Sequence, residues 1–331
     1  MMRSKCIGGF FATLFVVLAG LMIAVAPATA KTTYISIAAG GTGGVYYPYG
    51  GGLAEIWSRH VPGVQAVAEV TGASVENIRL VNRGESLTGT VMNDAAYQAH
   101  YAEGRFEKKP QKVLAMFQMY PHHYHVVALK GGGVNTVYDI KGKHVSVGAP
   151  ASGTEFKTNL VFKALGISYN DFKVHRLSFT ETANALKDKT IDVGIWDVAA
   201  PTSSIMDLAT TRDIVLISFS DADIKKICDM YPFYSPFVLP ANTYQGVDYP
   251  VNNPSVWNTV LCNADVPEDL VYKLVKAAFD HQDYLQMIHP FAKYTTPENA
   301  LIASPIPLHP GAIKYYRERG LTVPDRLIPK K

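Results

Sequence analysis

The stretch YISIAAGGTGGVYYPYG, residues 34–50, sets the fold class of the whole chain. Tyr34–Ala38 alternates β-formers as a strand does, the glycine-rich run Gly40–Tyr49 forms a loop, and Gly50–His60 reads as a helix ending before Pro62. The same strand–turn–helix unit recurs outward from it. Val64–Val70, Leu87–Met92 and Val113–Met119 read as strands, with helices over Thr71–Asn82 and Ala95–Glu103. After the turn Gly131-Gly132-Gly133 the pattern restarts. Strands at His144–Gly148, His175–Leu177, Ile191–Trp196 and Ile214–Ser218 alternate with helices at Thr154–Leu165, Thr180–Lys187 and Pro201–Thr210. Such alternation predicts an α/β chain with parallel sheets. Two successions, separated by extended stretches at 123–129 and 251–262, predict two lobes joined by crossing strands with a cleft between them. The expected division is 31–125 plus 252–331 for one lobe and 126–251 for the other. Pro267–Gln286 reads as a closing helix that starts with the acids Glu268 and Asp269.

In open α/β sheets, ligands gather at the carboxyl ends of strands, facing helix N-termini. Four strand-to-helix turns here are rich in Gly, Ser, Thr, Asn or Asp. They are Gly40–Tyr46, Thr71-Gly72-Ala73-Ser74, Asn93-Asp94 and Gly148–Thr154. Each presents unpaired backbone N–H groups at the positive end of a helix, a setting that suits a small anion, above all a carboxylate. A single turn of this kind is ordinary helix capping; four drawn from both halves point to a ligand. The glycine loop lacks the Gly-Lys-Ser/Thr ending of a phosphate loop, and Tyr46 stands where a dinucleotide fingerprint has its third glycine.

The chain has 331 residues, 48% of them apolar and 18% charged, which excludes global disorder. Its formal charge is +3 from 31 basic and 28 acidic residues, and Arg3 and Lys5 supply most of that excess. A near-neutral body offers no surface for nucleic acid. Met1–Lys5 is a basic segment, Ile7–Ala26 carries no charge, and Ala28-Thr29-Ala30 ends in small residues. Residues 1–30 therefore read as a signal peptide cleaved after Ala30, with a retained membrane anchor as the alternative. An exported, periplasmic location follows, with no spanning segment after cleavage. Cys228 and Cys262 remain beyond the signal and leave open one disulfide or two separate thiols.

Single residues carry competing readings. His122, His123 and His125 invite a metal, but no further ligand follows at zinc spacing, so packing is the better reading. The sequence has no Gly-x-Ser-x-Gly elbow and no His-Glu-x-x-His, which speaks against an exported hydrolase; no catalytic residue, metal or cofactor is expected. Tyr46 is the aromatic expected to cover a ligand. Asp94 serves either as the cap of a helix starting at Ala95 or as a partner for a ligand's ammonium group. Arg176 is the one basic residue near a strand end.

These residues also carry a resemblance. Gly41–Pro48, Thr71–Asn77, Asp139–Lys143, Ser152-Gly153-Thr154, Ile191–Gly194, Pro267–Tyr272, Pro307–Ala312 and Tyr315-Tyr316 run in order over the chain. They resemble the TAXI family, the TRAP-associated extracytoplasmic immunogenic proteins that serve as solute receptors of TRAP transporters. Trp196–Pro201 departs from that family by being bulkier and poorer in glycine. The resemblance implies a two-lobed periplasmic-binding-protein fold of type II and no catalysis. It further implies a monomer that hands a C4–C5 dicarboxylate or acidic amino acid, 2-oxoglutarate or glutamate first, to a TRAP permease. The residues expected to meet the ligand are Thr42, Gly43, Gly44, Tyr46, Thr71, Ser74, Asp94, Ser152, Gly153, Thr154 and Trp196. A ligand-sensing module for a membrane signalling partner would share the same fold and cleft.

Overall fold

Ten strands join in one mixed sheet, and two of them run through both halves of the molecule. The computed structural model describes residues 32–330, so the expected signal peptide and its cleavage site lie outside the described residues. The first part of the chain runs β1 (Thr33–Ala38), α1 (Tyr46–His60), β2 (Val64–Glu69), α2 (Ser74–Asn82), β3 (Thr88–Met92) and α3 (Asn93–Tyr101). A long strand β4 (Val113–Leu129) leads into β5 (His144–Ser146), α4 (Gly153–Leu165), β6 (Lys173–His175), α5 (Phe179–Lys187) and β7 (Val193–Val198). There follow α6 (Ser203–Thr211), β8 (Ile214–Leu216), α7 (Asp221–Met230), β9 (Tyr234–Leu239) and the return strand β10 (Val251–Asn263). Helices α8 (Glu268–Asp280), α9 (Gln282–Ile288), α10 (Pro297–Ala303) and α11 (Pro310–Glu318) complete the chain.

The strand order is β2-β1-β3-β10-β4-β7-β5-β6, with β8 on β4 and β9 on β10. The outer strands pair in parallel, β1 with β2 and β3 on one side and β5 with β6 and β7 on the other. The central strands are antiparallel and shared. The end of β10 pairs with β3 through Asn258–Cys262, while its start pairs with β9 through Val251–Val256. The start of β4 pairs with β10, and its end turns to β7 and β8. The result is a two-lobed α/β molecule, one lobe built on β1–β3 and the other on β5–β7, with β4 and β10 crossing between them. One apolar core includes Ile37, Trp57, Ile78, Phe117 and Tyr316; a second includes Tyr124, Val145, Phe162, Ile195 and Ile227.

Local chemistry accounts for where the elements differ from the sequence reading. The two strands expected at 113–119 and 123–129 are one, because Pro121 falls next to an irregularity in the β4–β10 ladder, where its missing N–H costs little. Helix α1 starts at Tyr46 and takes in Gly50, Gly51 and Gly52. Gly52 is needed for the close approach of α9: an added Cβ would lie 3.2 Å from Leu285 and closer still to Ile288. The closing helix breaks at His281 into α8 and α9. The sheet is mixed rather than parallel, since β4 and β10 both run against their neighbours. Cys228 and Cys262 are free thiols, which answers the disulfide question against a bridge.

Candidate functional site

Four helices begin around one cavity. The starts of α1 (Val45, Tyr46), α2 (Ala73, Ser74), α4 (Ser152, Gly153, Thr154) and α5 (Ser178, Phe179) line it, with Met92, His122, Asp197 and Val198 from the strands. It lies between the lobes and encloses about 70 Å3. The positive ends of four helix dipoles thus converge from both lobes on one volume.

The donors are specific groups. Ser152 caps α4, its Oγ accepting the Glu155 amide at 3.0 Å, so its own hydroxyl hydrogen stays free to donate. Ser74 Oγ accepts the Met92 amide at 3.1 Å, and its hydroxyl lies beside that of Tyr46. Thr71 is committed to its own turn: it donates to Asn77 Oδ1 at 2.6 Å and accepts from the Ala73 amide at 3.0 Å. The Tyr46 hydroxyl donates to Asn258 Oδ1, and its ring lies against that of His122 at 4.9 Å. Burial pushes the Tyr46 phenol far up, so it stays protonated.

At one side of the cavity sits a buried ion pair. Lys157 Nζ reaches Asp197 Oδ1 and the Pro254 carbonyl, each at 3.0 Å, and neither side chain is exposed. Asp197 Oδ2 has no hydrogen-bond partner, nor has either ring nitrogen of His122. Burial raises the Asp197 carboxyl above its usual range despite Lys157. Burial, with the Lys157 charge nearby, holds His122 well below the usual histidine range, so the ring is neutral at pH 7.

Of the residues expected from sequence, Gly44, Tyr46, Thr71, Ser74, Ser152, Gly153 and Thr154 line the cavity. The other four do not. Thr42 is exposed. Gly43 turns its carbonyl to the other lobe, accepting from Ser204 Oγ at 2.8 Å and Thr202 Oγ1 at 3.2 Å. Asp94 is fully buried, and both its oxygens are taken, Oδ1 by the Ala95 amide and Oδ2 by the Tyr234 hydroxyl, each at 2.7 Å. It lies inside α3 rather than capping it, and burial lifts its carboxyl to about 6. Trp196 points to the opposite face of β7 from Asp197, donates to Ser204 Oγ at 3.1 Å and stacks behind Phe179.

Arg176 does not line the cavity; its Nε lies 3.6 Å from Glu155 Oε1. The histidines divide by position. His123 stacks on Phe237 at 3.7 Å, and His125 bonds the His123 carbonyl at 2.8 Å, while His122 alone lines the cavity. Among the described residues no group of three or more His, Cys, Asp or Glu is arranged to hold a metal.

Sequence reasoning missed Asp197, His122, Ser178 and Phe179 as lining residues and Lys157 behind them. The signal for Lys157 was its place on an otherwise apolar helix stripe with Val161 and Ala164, both buried. For Asp197 it was the strand's period of two, which sets residue 197 against residue 196.

Similar architecture occurs in solved structures. A protein of Bordetella bronchiseptica superposes with a TM-score of 0.53 at 20% identity, over 90% of this chain and 85% of that one. PhnD1 from Prochlorococcus marinus, solved in complex with methylphosphonate, gives 0.52 at 9% identity over 78% of this chain and 90% of that chain. A binding protein component of an ABC phosphonate transporter from Pseudomonas aeruginosa gives 0.51 at 11% identity, over 80% of this chain and 81% of the other. At these identities the likeness speaks for the fold, the two-lobed fold of periplasmic binding proteins. The sequence itself goes further: the model of the NMT1-like family matches residues 37–320, and the chain belongs to that family.

Proposed function

We propose that the chain is an extracytoplasmic solute-binding protein, without catalysis of its own, whose lobes close on a small organic acid and present it to a membrane transporter. The observation that carries this reading is the convergence of four helix N-termini, two from each lobe, on one cavity. Backbone amides and the Ser74, Ser152 and Thr154 hydroxyls would hold a carboxylate there without an arginine. In this reading 31–125 with 252–331, and 126–251, are the two bodies that move. Among the described residues no helix is long and apolar enough to cross a membrane, so transport would require a separate permease.

The resemblance to TAXI proteins favours a TRAP permease as that partner and a C4–C5 dicarboxylate or acidic amino acid as the cargo. The phosphonate-binding neighbours favour a second reading, in which an ABC permease takes the cargo and the helix starts hold a phosphonate. A thermal-shift screen of organic acids, amino acids, phosphonates and sulfonates separates them, since a ligand bound by the native state raises its melting temperature. Stabilisation by carboxylic acids is the expected result. A response to phosphonates or sulfonates alone would transfer the protein to the second reading.

A further inference from the structure

The cavity is small, and carbon makes up much of its wall. At about 70 Å3 it has about half the ~150 Å3 that takes a benzene ring. The closed lobes thus leave space for one carboxylate with a short body behind it, and not for the dicarboxylates that the resemblance implies. No lysine or arginine is among the residues that line it. Lys157 is spent behind the wall on Asp197 and the Pro254 carbonyl, and Arg105 and Arg176 are turned to Glu155. One carboxylate meets the amides and hydroxyls of the helix starts. A second would be stripped of water with no cation to receive it.

Phe179 brings carbon to this wall from the second lobe. It is the first residue of α5, is half-buried, and its ring closes on Gly44 of the first lobe. A Cβ on Gly44 would lie 3.1 Å from Phe179 Cδ2 and 3.2 Å from Cε2. Trp196 stacks behind the ring at 6.1 Å and is itself held by its bond to Ser204 Oγ, so Phe179 is backed by a fixed neighbour. Tyr46 and Ala73 add carbon from the first lobe. We infer that Phe179 is the specificity-determining residue of this site: its ring limits the apolar body behind the bound carboxylate, and the cargo is a short aliphatic monocarboxylate. The inference rests on the solute-binding reading above and replaces the dicarboxylate within it.

The test titrates the wild-type protein, stripped of bound ligand, by calorimetry. Propionate is set against malonate and butyrate against succinate, pairs of equal chain length that differ in the second carboxylate. In each pair that binds, the monocarboxylate should bind at least about tenfold more tightly, and affinity should fall by a similar factor from butyrate to hexanoate, which overfills the pocket. Equal or tighter binding of the diacids, or undiminished binding of hexanoate, overturns the inference and leaves the solute-binding reading standing. A response to methylphosphonate alone, or to none of these anions, overturns the carboxylate reading with it. Phe179→Ala opens the wall and should let hexanoate gain at least about tenfold on propionate. A chain-length profile unchanged from the wild type removes Phe179 from this role. A melting curve of the variant guards against misfolding, and if it does not fold, the wild-type series decides.

Discussion

Arg105 Nη2 lies 2.5 Å from Glu155 Oε2, an ion pair that ties the segment between α3 and β4 to the first turn of α4 and so spans the two lobes. Glu155 is almost buried, and Arg176 approaches its other oxygen. The pair stands with two further links across the cleft: Ser204 Oγ bonded to the Gly43 carbonyl, and the Glu76 amide bonded to the Ala151 carbonyl at 3.2 Å. The conformation is a closed one.

Arg105→Ala should loosen closure without unfolding either lobe. Arg105 is a third exposed, so the loss is about 1 kcal/mol, the upper range for exposed ion pairs. Ligand affinity should fall roughly fivefold, an amount set by that energy. The fall should appear in the dissociation rate measured by stopped-flow competition, with the melting temperature of the ligand-free protein nearly unchanged. An unaltered dissociation rate would remove Arg105 from the closure device.

At Gly43 and Gly153 the two lobes come close. A Cβ on Gly43 would lie 2.6 Å from Thr180 Oγ1, and one on Gly153 would lie 2.3 Å from Met92 Sδ and 2.4 Å from Ser74 Oγ. The nearest atoms in both cases belong to the opposite lobe, so Gly43→Ala and Gly153→Ala should prop the cleft open. Affinity should drop by tenfold or more while circular dichroism stays that of the wild type. Full affinity in both variants would mean that closure does not bring these surfaces together.

Ser152→Ala removes a helix cap as well as a cavity donor. The cap alone is worth about 1 kcal/mol, so the ligand-free variant should melt a few degrees lower, and ligand binding should weaken further. Ser74 caps nothing. Ser74→Ala instead strands the buried Met92 amide, at a cost of about 1–3 kcal/mol. Chemical denaturation of the two ligand-free variants compares them; greater stability in either than in the wild type would contradict the assignments.

Stability should fall on acidification. Burial holds His122 and His123 well below the usual histidine range and His125 down to about 4, and His289 and His309 are lowered too. Below about pH 6.5 the unfolded chain protonates these rings while the native protein does not, which drains stability as pH falls toward 4. Asp94 works in the opposite sense. Its native carboxyl, lifted to about 6, takes up a proton that the unfolded one refuses until about pH 4, so it adds stability on the same descent. Asp197, raised by burial, adds to that side. Five rings against two carboxyls leave a net loss of stability on acidification. Urea midpoints at pH 7.5 and pH 5 measure it, and an unchanged or higher midpoint at pH 5 would contradict the balance.

Much of the site was legible because glycine and hydroxyl residues before a helix advertise free amides whatever the rest of the chain does. That signal located Gly44, Ser74, Ser152 and Thr154. It misjudged residues whose neighbours lie far off in sequence. Asp94 read as either a helix cap or a ligand partner, whereas Tyr234, 140 positions later, donates to it. Thr42 and Gly43 belonged to the right loop, but closure of the lobes, which no local pattern encodes, turned Gly43 toward Thr202 and Ser204. The pairing of Lys157 with Asp197 was not legible, because a buried ion pair is recognisable only once both partners are placed. In the fold, the alternation of strands and helices survived translation, whereas α1 was shortened because glycines that admit α9 look like loop.

The central claim is that the two lobes form a clamp closed by an organic acid. Small-angle scattering of the ligand-stripped protein, with and without a saturating concentration of the tightest-binding acid, tests it most directly. The account predicts a smaller radius of gyration with ligand and a calculated profile that matches the closed conformation described here. An identical radius in both states, at a concentration where calorimetry shows the site filled, would contradict it.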